Sequence, residues 1–188
     1  VVLKTFSDSR MFDFCTPIVY ANLDFLRTQC KHFGLQVPLQ PLKDRPQRRV
    51  LNVVSCWDST PELAYGKETK AAGKLALQSL TAATQALKAG STQALITAPI
   101  NKASIQSESF AFPGHTDYLA QEFGGEALMF MIHDQLRVGL LTDHVAISEV
   151  SGLLTQERVV NKLKLMSESL QKDFGIRKPK IAVLGINP

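Results

Sequence analysis

Two of the four histidines in this 188-residue chain stand beside Thr and Asp at the margins of apolar runs. His115 lies in Phe112-Pro113-Gly114-His115-Thr116-Asp117-Tyr118-Leu119-Ala120, and His144 closes Leu141-Thr142-Asp143-His144. A Pro-Gly turn leading into an amphipathic segment that reaches Phe123 puts His115 and Thr116 in the first turn of a helix. There an imidazole, a hydroxyl and free amide N–H groups can donate to an oxyanion. The same residues fit a plainer role, with Thr116 or Asp117 capping the helix. At Thr142-Asp143-His144 a neutral imidazole at a strand end suits a divalent metal, and Asp143 can orient it or bind metal itself. One histidine is not a metal site, because three or more ligands are needed and none follows at short spacing. A hydrogen-bonded histidine closing a loop fits equally.

A third cluster is Thr97-Ala98-Pro99-Ile100-Asn101-Lys102. Thr97 is a possible cap and Pro99 suits a first helical turn. Asn101 and Lys102 then fall near a helix N-terminus, where amide N–H groups and a lysine favour a phosphate or carboxylate. A routine strand-to-helix turn with a surface lysine gives the same pattern. His32 and His133 read as helix-surface and loop residues, and Trp57 as a packing anchor.

The elements that must hold these clusters alternate in type. Strands are predicted at 16–21, 49–56, 93–98, 127–132, 136–142 and 180–186. Helices are predicted from the Asn22 cap to Gly34, over about 66–89, and from the Thr155 cap to Gly175. The stretch 59–66 reads as a loop and helix entry. The runs 93–98 and 180–186 lack polar alternation, as expected of strands buried on both faces. This order predicts an α/β fold with a largely parallel sheet flanked by helices. Ligands of such sheets collect beyond the carboxyl ends of strands, where 97–102 and 142–144 fall.

Composition narrows the partners. The net charge of +4 is mild, and Lys43-Asp44-Arg45-Pro46-Gln47-Arg48-Arg49 is the only dense basic run. A solvated loop between strands explains it, so no nucleic-acid partner is expected. Cys15, Cys30 and Cys56 fit neither a disulfide framework nor a metal knuckle and read as reduced thiols of a cytoplasmic protein. No apolar run reaches the roughly 18–20 residues that span a bilayer, and no membrane partner is expected. Gly-x-Gly-x-x-Gly, P-loop, Gly-x-Ser-x-Gly and His-Glu-x-x-His motifs are absent.

In order, Ala94-Leu95-Ile96-Thr97-Ala98-Pro99-Ile100-Asn101-Lys102-Ala103-Ser104-Ile105, the His115 stretch, Leu136 to Val150, and Phe174 to Pro188 resemble the 4-hydroxythreonine-4-phosphate dehydrogenase family of vitamin B6 biosynthesis. The combination Thr-x-Pro-x-x-Lys, Gly-His-Thr-[Asp/Glu] and Thr-x-His is specific, although each part alone is not. The resemblance implies an isocitrate/isopropylmalate dehydrogenase-like fold, with two α/β domains around a cleft in the full-length protein. It implies an oxidoreductase that uses NAD and a divalent metal (Zn, Mg or Co). The reaction is oxidative decarboxylation of 4-phosphooxy-L-threonine to 3-amino-2-oxopropyl phosphate. It further implies a homodimer with a shared active site. Residue by residue, His115 and Thr116 match the substrate-binding pair, and His144 matches the first of three metal-binding histidines. Asn101 and Lys102 match a segment near the site, as does Asp143 beside His144, without a fixed catalytic role.

The match has departures. Ala98 stands where Gly is common and Asp117 where Glu is common. The family's opening strand and Gly-Asp-Pro-x-Gly-Ile-Gly loop, and the His-Ala-Gly-Glu that follows its Asn-Pro, have no counterpart here. Residues 1–188 are therefore expected to be an incomplete portion of a two-domain dehydrogenase, with no internal boundary assigned. They are expected to contain no cofactor-binding residues and, alone, to bind NAD poorly and not turn over. Three other readings stay open. A paralogous dehydrogenase of another phosphorylated hydroxy acid shares the visible residues. A phosphotransacetylase-like acyl transferase would need neither metal nor NAD. A non-catalytic phosphometabolite-binding domain would keep affinity without a metal.

Overall fold

Asn22 shows how local chemistry sets this fold. Its side-chain oxygen accepts from the Phe25 amide at 2.8 Å, and its amide donates to the Trp57 carbonyl at 2.7 Å. One residue thereby starts a helix and ties it to the end of a strand. The computed structural model describes residues 1–58, 64–107 and 110–185. It divides into two units, Val1–Gly125 and Glu126–Pro188, each described by itself.

The first unit contains α1 (Val2–Phe6), a 3-10 turn (Ser9–Asp13), β1 (Ile18–Ala21), α2 (Leu23–Phe33), β2 (Leu39–Pro41), β3 (Leu51–Ser55), α3 (Lys70–Lys88), α4 (Lys102–Ile105) and α5 (His115–Phe123). Its three strands are parallel, in the order β1-β3-β2. Gly34 ends α2 at φ 62, the left-handed cap that glycine adopts without penalty. Leu51 and Val53 of β3 are buried against Leu26 and Cys30 of α2 and against Leu3 and Phe12.

The β2–β3 connection is short for a parallel pair and has no helix. Asn52 compensates. It is fully buried, and its oxygen accepts from the Gln40 side chain at 3.0 Å and the Gln47 amide at 2.9 Å. Its amide donates to the carbonyls of Pro17, Gln47 and Val50. The basic run at 43–49 is thus an exposed loop pinned from beneath by one buried amide.

Thr69 caps α3, accepting from the Ala72 amide at 3.2 Å, and the Ser79 hydroxyl donates to the Tyr20 carbonyl of β1. A second core forms from Leu80 of α3, Ile105 of α4, Phe110, and Tyr118 of α5. The strand predicted at 93–98 is not formed, and Ile96 is 92% exposed. Apolar patterning marks a segment for burial, but a strand also needs a neighbouring edge to pair with. Neither described sheet includes this segment. The stretch predicted as a loop at 59–66 lies outside the described residues up to 63, and α3 begins at Lys70 rather than 66.

The second unit contains β4 (Phe130–His133), β5 (Leu136–Gly139), α6 (Ile147–Leu153) and α7 (Gln156–Lys172). β4 and β5 form an antiparallel hairpin turning at Asp134, φ 45. The parallel sheet therefore belongs to the first unit. Thr155 caps α7, accepting from the Arg158 amide at 3.2 Å. Two cations of α7 hold the hairpin's flanks. Arg158 donates from Nε to the Leu141 carbonyl at 3.0 Å, and buried Lys162 donates from Nζ to the Ala127 carbonyl at 2.5 Å while pairing with Glu126 at 2.8 Å. The Arg137 guanidinium lies 4.8 Å from the Phe174 ring centroid. Residues 180–185, predicted as a strand, have no strand partner among the described residues, and Leu184 is 88% exposed. Cys15, Cys30 and Cys56 are free thiols, as expected. No helix among the described residues is long and apolar enough to cross a membrane.

Candidate functional site

Asn101, not Thr97, caps the helix that follows the 97–102 cluster. Its Oδ1 accepts from the Ser104 amide at 2.8 Å, so α4 starts at Lys102, and Pro99 precedes the helix instead of opening it. The Asn101 amide donates from Nδ2 to Glu68 Oε1 at 2.6 Å. Glu68 precedes the Thr69 cap of α3, so the starts of α3 and α4 are bonded together. Gly73 permits the approach: a Cβ there would stand 1.8 Å from the Ser104 carbonyl oxygen. Lys102 is exposed at the head of this braced turn.

His115 opens α5 as expected, and Thr116 follows it in the first turn. Gly114 is the N-cap, and no side chain caps the helix. Thr116 and Asp117 therefore do not take the capping role that the sequence also allowed. Both lie inside the turn, and its first N–H groups keep their capacity to donate. The His115 imidazole is half-buried, and burial pushes its pKa below the usual histidine value, which favours the neutral ring.

Aromatic packing fixes this end of α5. Phe110 is fully buried, and its ring lies 5.3 Å from Phe112 and 5.4 Å from Tyr118, while Phe112 and Tyr118 are 5.5 Å apart. The Gln106 side chain donates to the Phe112 carbonyl at 2.7 Å, tying the strap between α4 and α5. Asn101 with Lys102, and His115 with Thr116, thus stand on elements that share one core.

Asp143 and His144 belong to the second unit, in the loop between β5 and α6. His144 adopts φ 46 and is exposed, while Asp143 is half-buried. A left-handed backbone at a non-glycine residue is uncommon and costs on the order of 1 kcal/mol. The imidazole is therefore held out at some expense, with no hydrogen-bond partner among the described residues. Among the described residues no group of three or more His, Cys, Asp or Glu side chains converges on a point that could hold a metal. These residues alone do not make a metal centre.

Two surface depressions of about 600 and 290 Å³ run along the start of α7, and both are lined by Thr155, Glu157 and Asn161. Neither includes a predicted site residue. Four bracing residues escaped the sequence reading: Glu68, Gly73, Gln106 and Phe110. Gly73, inside a strong helical pattern, was the one visible signal, since such a glycine often marks a close approach. The other three act through contacts that no local pattern encodes.

The family model for the pyridoxal phosphate biosynthetic protein PdxA matches residues 13–188. A 4-hydroxythreonine-4-phosphate dehydrogenase of Bacteroides thetaiotaomicron is 37% identical over 192 residues, covering 100% of this chain and 53% of the relative. One from Methylococcus capsulatus is 37% identical over 179 residues, covering 93% of this chain and 54% of the relative. The crystal structure of a 4-hydroxythreonine-4-phosphate dehydrogenase from Burkholderia phymatum superposes with a TM-score of 0.85 at 26% identity, over 100% of this chain and 58% of that one. The chain spans about half the length of the curated relatives it matches.

Proposed function

The chain belongs to the family of the pyridoxal phosphate biosynthetic protein PdxA, and from that premise we propose that it serves the NAD-dependent oxidation and decarboxylation of 4-phosphooxy-L-threonine. Membership also gives it the isocitrate dehydrogenase-like α/β fold of that family. The observation that carries the functional reading is that His115 and Thr116 stand in the first turn of α5, whose N-cap is Gly114 and whose first amide N–H groups meet no side-chain cap. Those donors can serve an anionic ligand.

In this reading His115 and Thr116 hold the substrate through neutral-imidazole and hydroxyl hydrogen bonds. Lys102, fixed by the Asn101 cap, offers a cation to an anionic group of the substrate. The neutral state of His115 matters, because the ring can then donate from one nitrogen and accept at the other. A bound nicotinamide would supply the hydride acceptor for oxidation of the substrate hydroxyl. His144 would contribute a single imidazole to a divalent metal, with Asp143 beside it. The family resemblance supports a cytoplasmic homodimer.

The test is NADH formation by the whole gene product. NADH and carbon dioxide should appear together with 4-phosphooxy-L-threonine, in a manner abolished by chelation. Acyl transfer between coenzyme A and phosphate, without NADH, would establish the acyl-transferase reading instead. NADH formation with another phosphorylated hydroxy acid, but not this one, would mark a paralogue.

A further inference from the structure

We propose that Glu68 is a positioning residue for Lys102, acting through the Asn101 amide. This rests on the reading above that Lys102 meets an anionic group of the substrate. An Asn side chain at a helix cap has two ends of similar shape, and only the oxygen end can accept from the helix. The Glu68 carboxylate only accepts, so the Nδ2 end of Asn101 must face it, at 2.6 Å. The oxygen end is thereby turned to the Ser104 amide, at 2.8 Å. Glu68 thus selects the one orientation of Asn101 that starts α4 at Lys102.

The far side of α4 is fixed independently. The Gly73 backbone abuts Ser104 so closely that a Cβ would stand 1.8 Å from its carbonyl oxygen. Glu68 and Gly73 flank the capping Thr69 of α3, and the Ser79 hydroxyl of α3 is bonded to the Tyr20 carbonyl. A helix of only four residues has little stability of its own. Its place, and the place of Lys102 within it, is borrowed from α3 through these two contacts. Ile105, buried at the end of α4, keeps the element in the core but does not determine which way its first residue faces.

The experiment compares E68A and E68Q with wild type in the whole enzyme. It reads KM for 4-phosphooxy-L-threonine, KM for NAD, and amide hydrogen exchange at Ser104. E68A should raise the substrate KM about tenfold, leave the NAD KM unchanged, and speed Ser104 exchange about tenfold. E68Q retains an acceptor for Asn101 and should return both changed readings to near wild type. An unchanged substrate KM in E68A, even with faster exchange, would reduce Glu68 to a structural brace and overturn the proposal. So would an E68Q as impaired as E68A, since charge rather than the hydrogen bond would then be responsible. If the wild-type enzyme makes no NADH, the functional reading fails by itself. The Kd for the same phosphorylated compound, measured by calorimetry, then replaces KM under the same criteria, and no binding by wild type overturns the positioning role.

Discussion

His115 and His144 are supported in opposite ways. His115 sits half-buried at the head of a nine-residue helix, beside an aromatic trio in which Phe110 and Tyr118 are buried, and a side-chain strap. His144 is exposed, in a left-handed conformation, on a loop held at its base by the Arg158–Leu141 bond. The first is positioned by packing, which resists displacement because a close-packed core has few alternative arrangements. The second is positioned by backbone strain, which persists only while the flanks over-determine it. A group that must present a neutral ring gains from burial. A group that must give its lone pair to an ion gains from staying accessible.

Removing the packing should have the largest effect. Phe110→Ala deletes a fully buried ring and is expected to cost about 3–5 kcal/mol in denaturant titrations. Substrate binding should be lost before global unfolding, as α5 loosens. A cost under about 1 kcal/mol would show that the trio is not what holds His115.

The flanks of the second region come next. Lys162→Ala removes the buried ammonium from the Ala127 carbonyl and from Glu126. A loss of about 2 kcal/mol is expected, since a half-buried carbonyl and Glu126 both lose their cation. Exchange at the amides of 140–145 should quicken with it, whereas exchange in α5 should not. Equal acceleration in both regions would contradict their independent support.

His144→Gly separates strain from chemistry. Glycine adopts the positive φ freely, so the thermal midpoint should stay level or rise, by at most about 1 kcal/mol in stability. Metal-dependent turnover should nonetheless disappear. A clear loss of stability would mean the imidazole is a packing element after all.

The smallest effect is one of pH. Burial lowers the His115 pKa below the usual imidazole value. Above pH about 6.5 the ring is neutral in folded and unfolded states alike and adds no pH dependence. Below it the unfolded chain takes up the proton first, so wild-type stability should fall relative to His115→Asn between pH 7 and pH 5. The difference should level off once the folded-state ring also protonates. A flat difference would place His115 in contact with solvent.

Much of this molecule was legible in its sequence because the signals are local. Asn22, Thr69 and Thr155 cap helices by bonds to amides three residues on, and Gly34 ends α2 because it alone takes the left-handed turn without strain. The alternation of strands and helices revealed the α/β class, and three short motifs in order revealed the family. The residues of the candidate site were visible by type, and His115 by its place in a helical turn. What sequence could not decide depends on partners distant in the chain. The run 93–98 is apolar enough for a strand but pairs with none of the described strands. The sequence offered Thr97 as the cap of the next helix, but Asn101 caps it, with its amide bonded to Glu68, which lies 33 residues earlier. Whether Thr116 or Asp117 capped its helix was settled by where the turn begins, and Gly114 became the cap. Local rules act through bonds within a turn or two. Orientation and burial come from contacts made only when distant segments meet, so tertiary structure alone decided them.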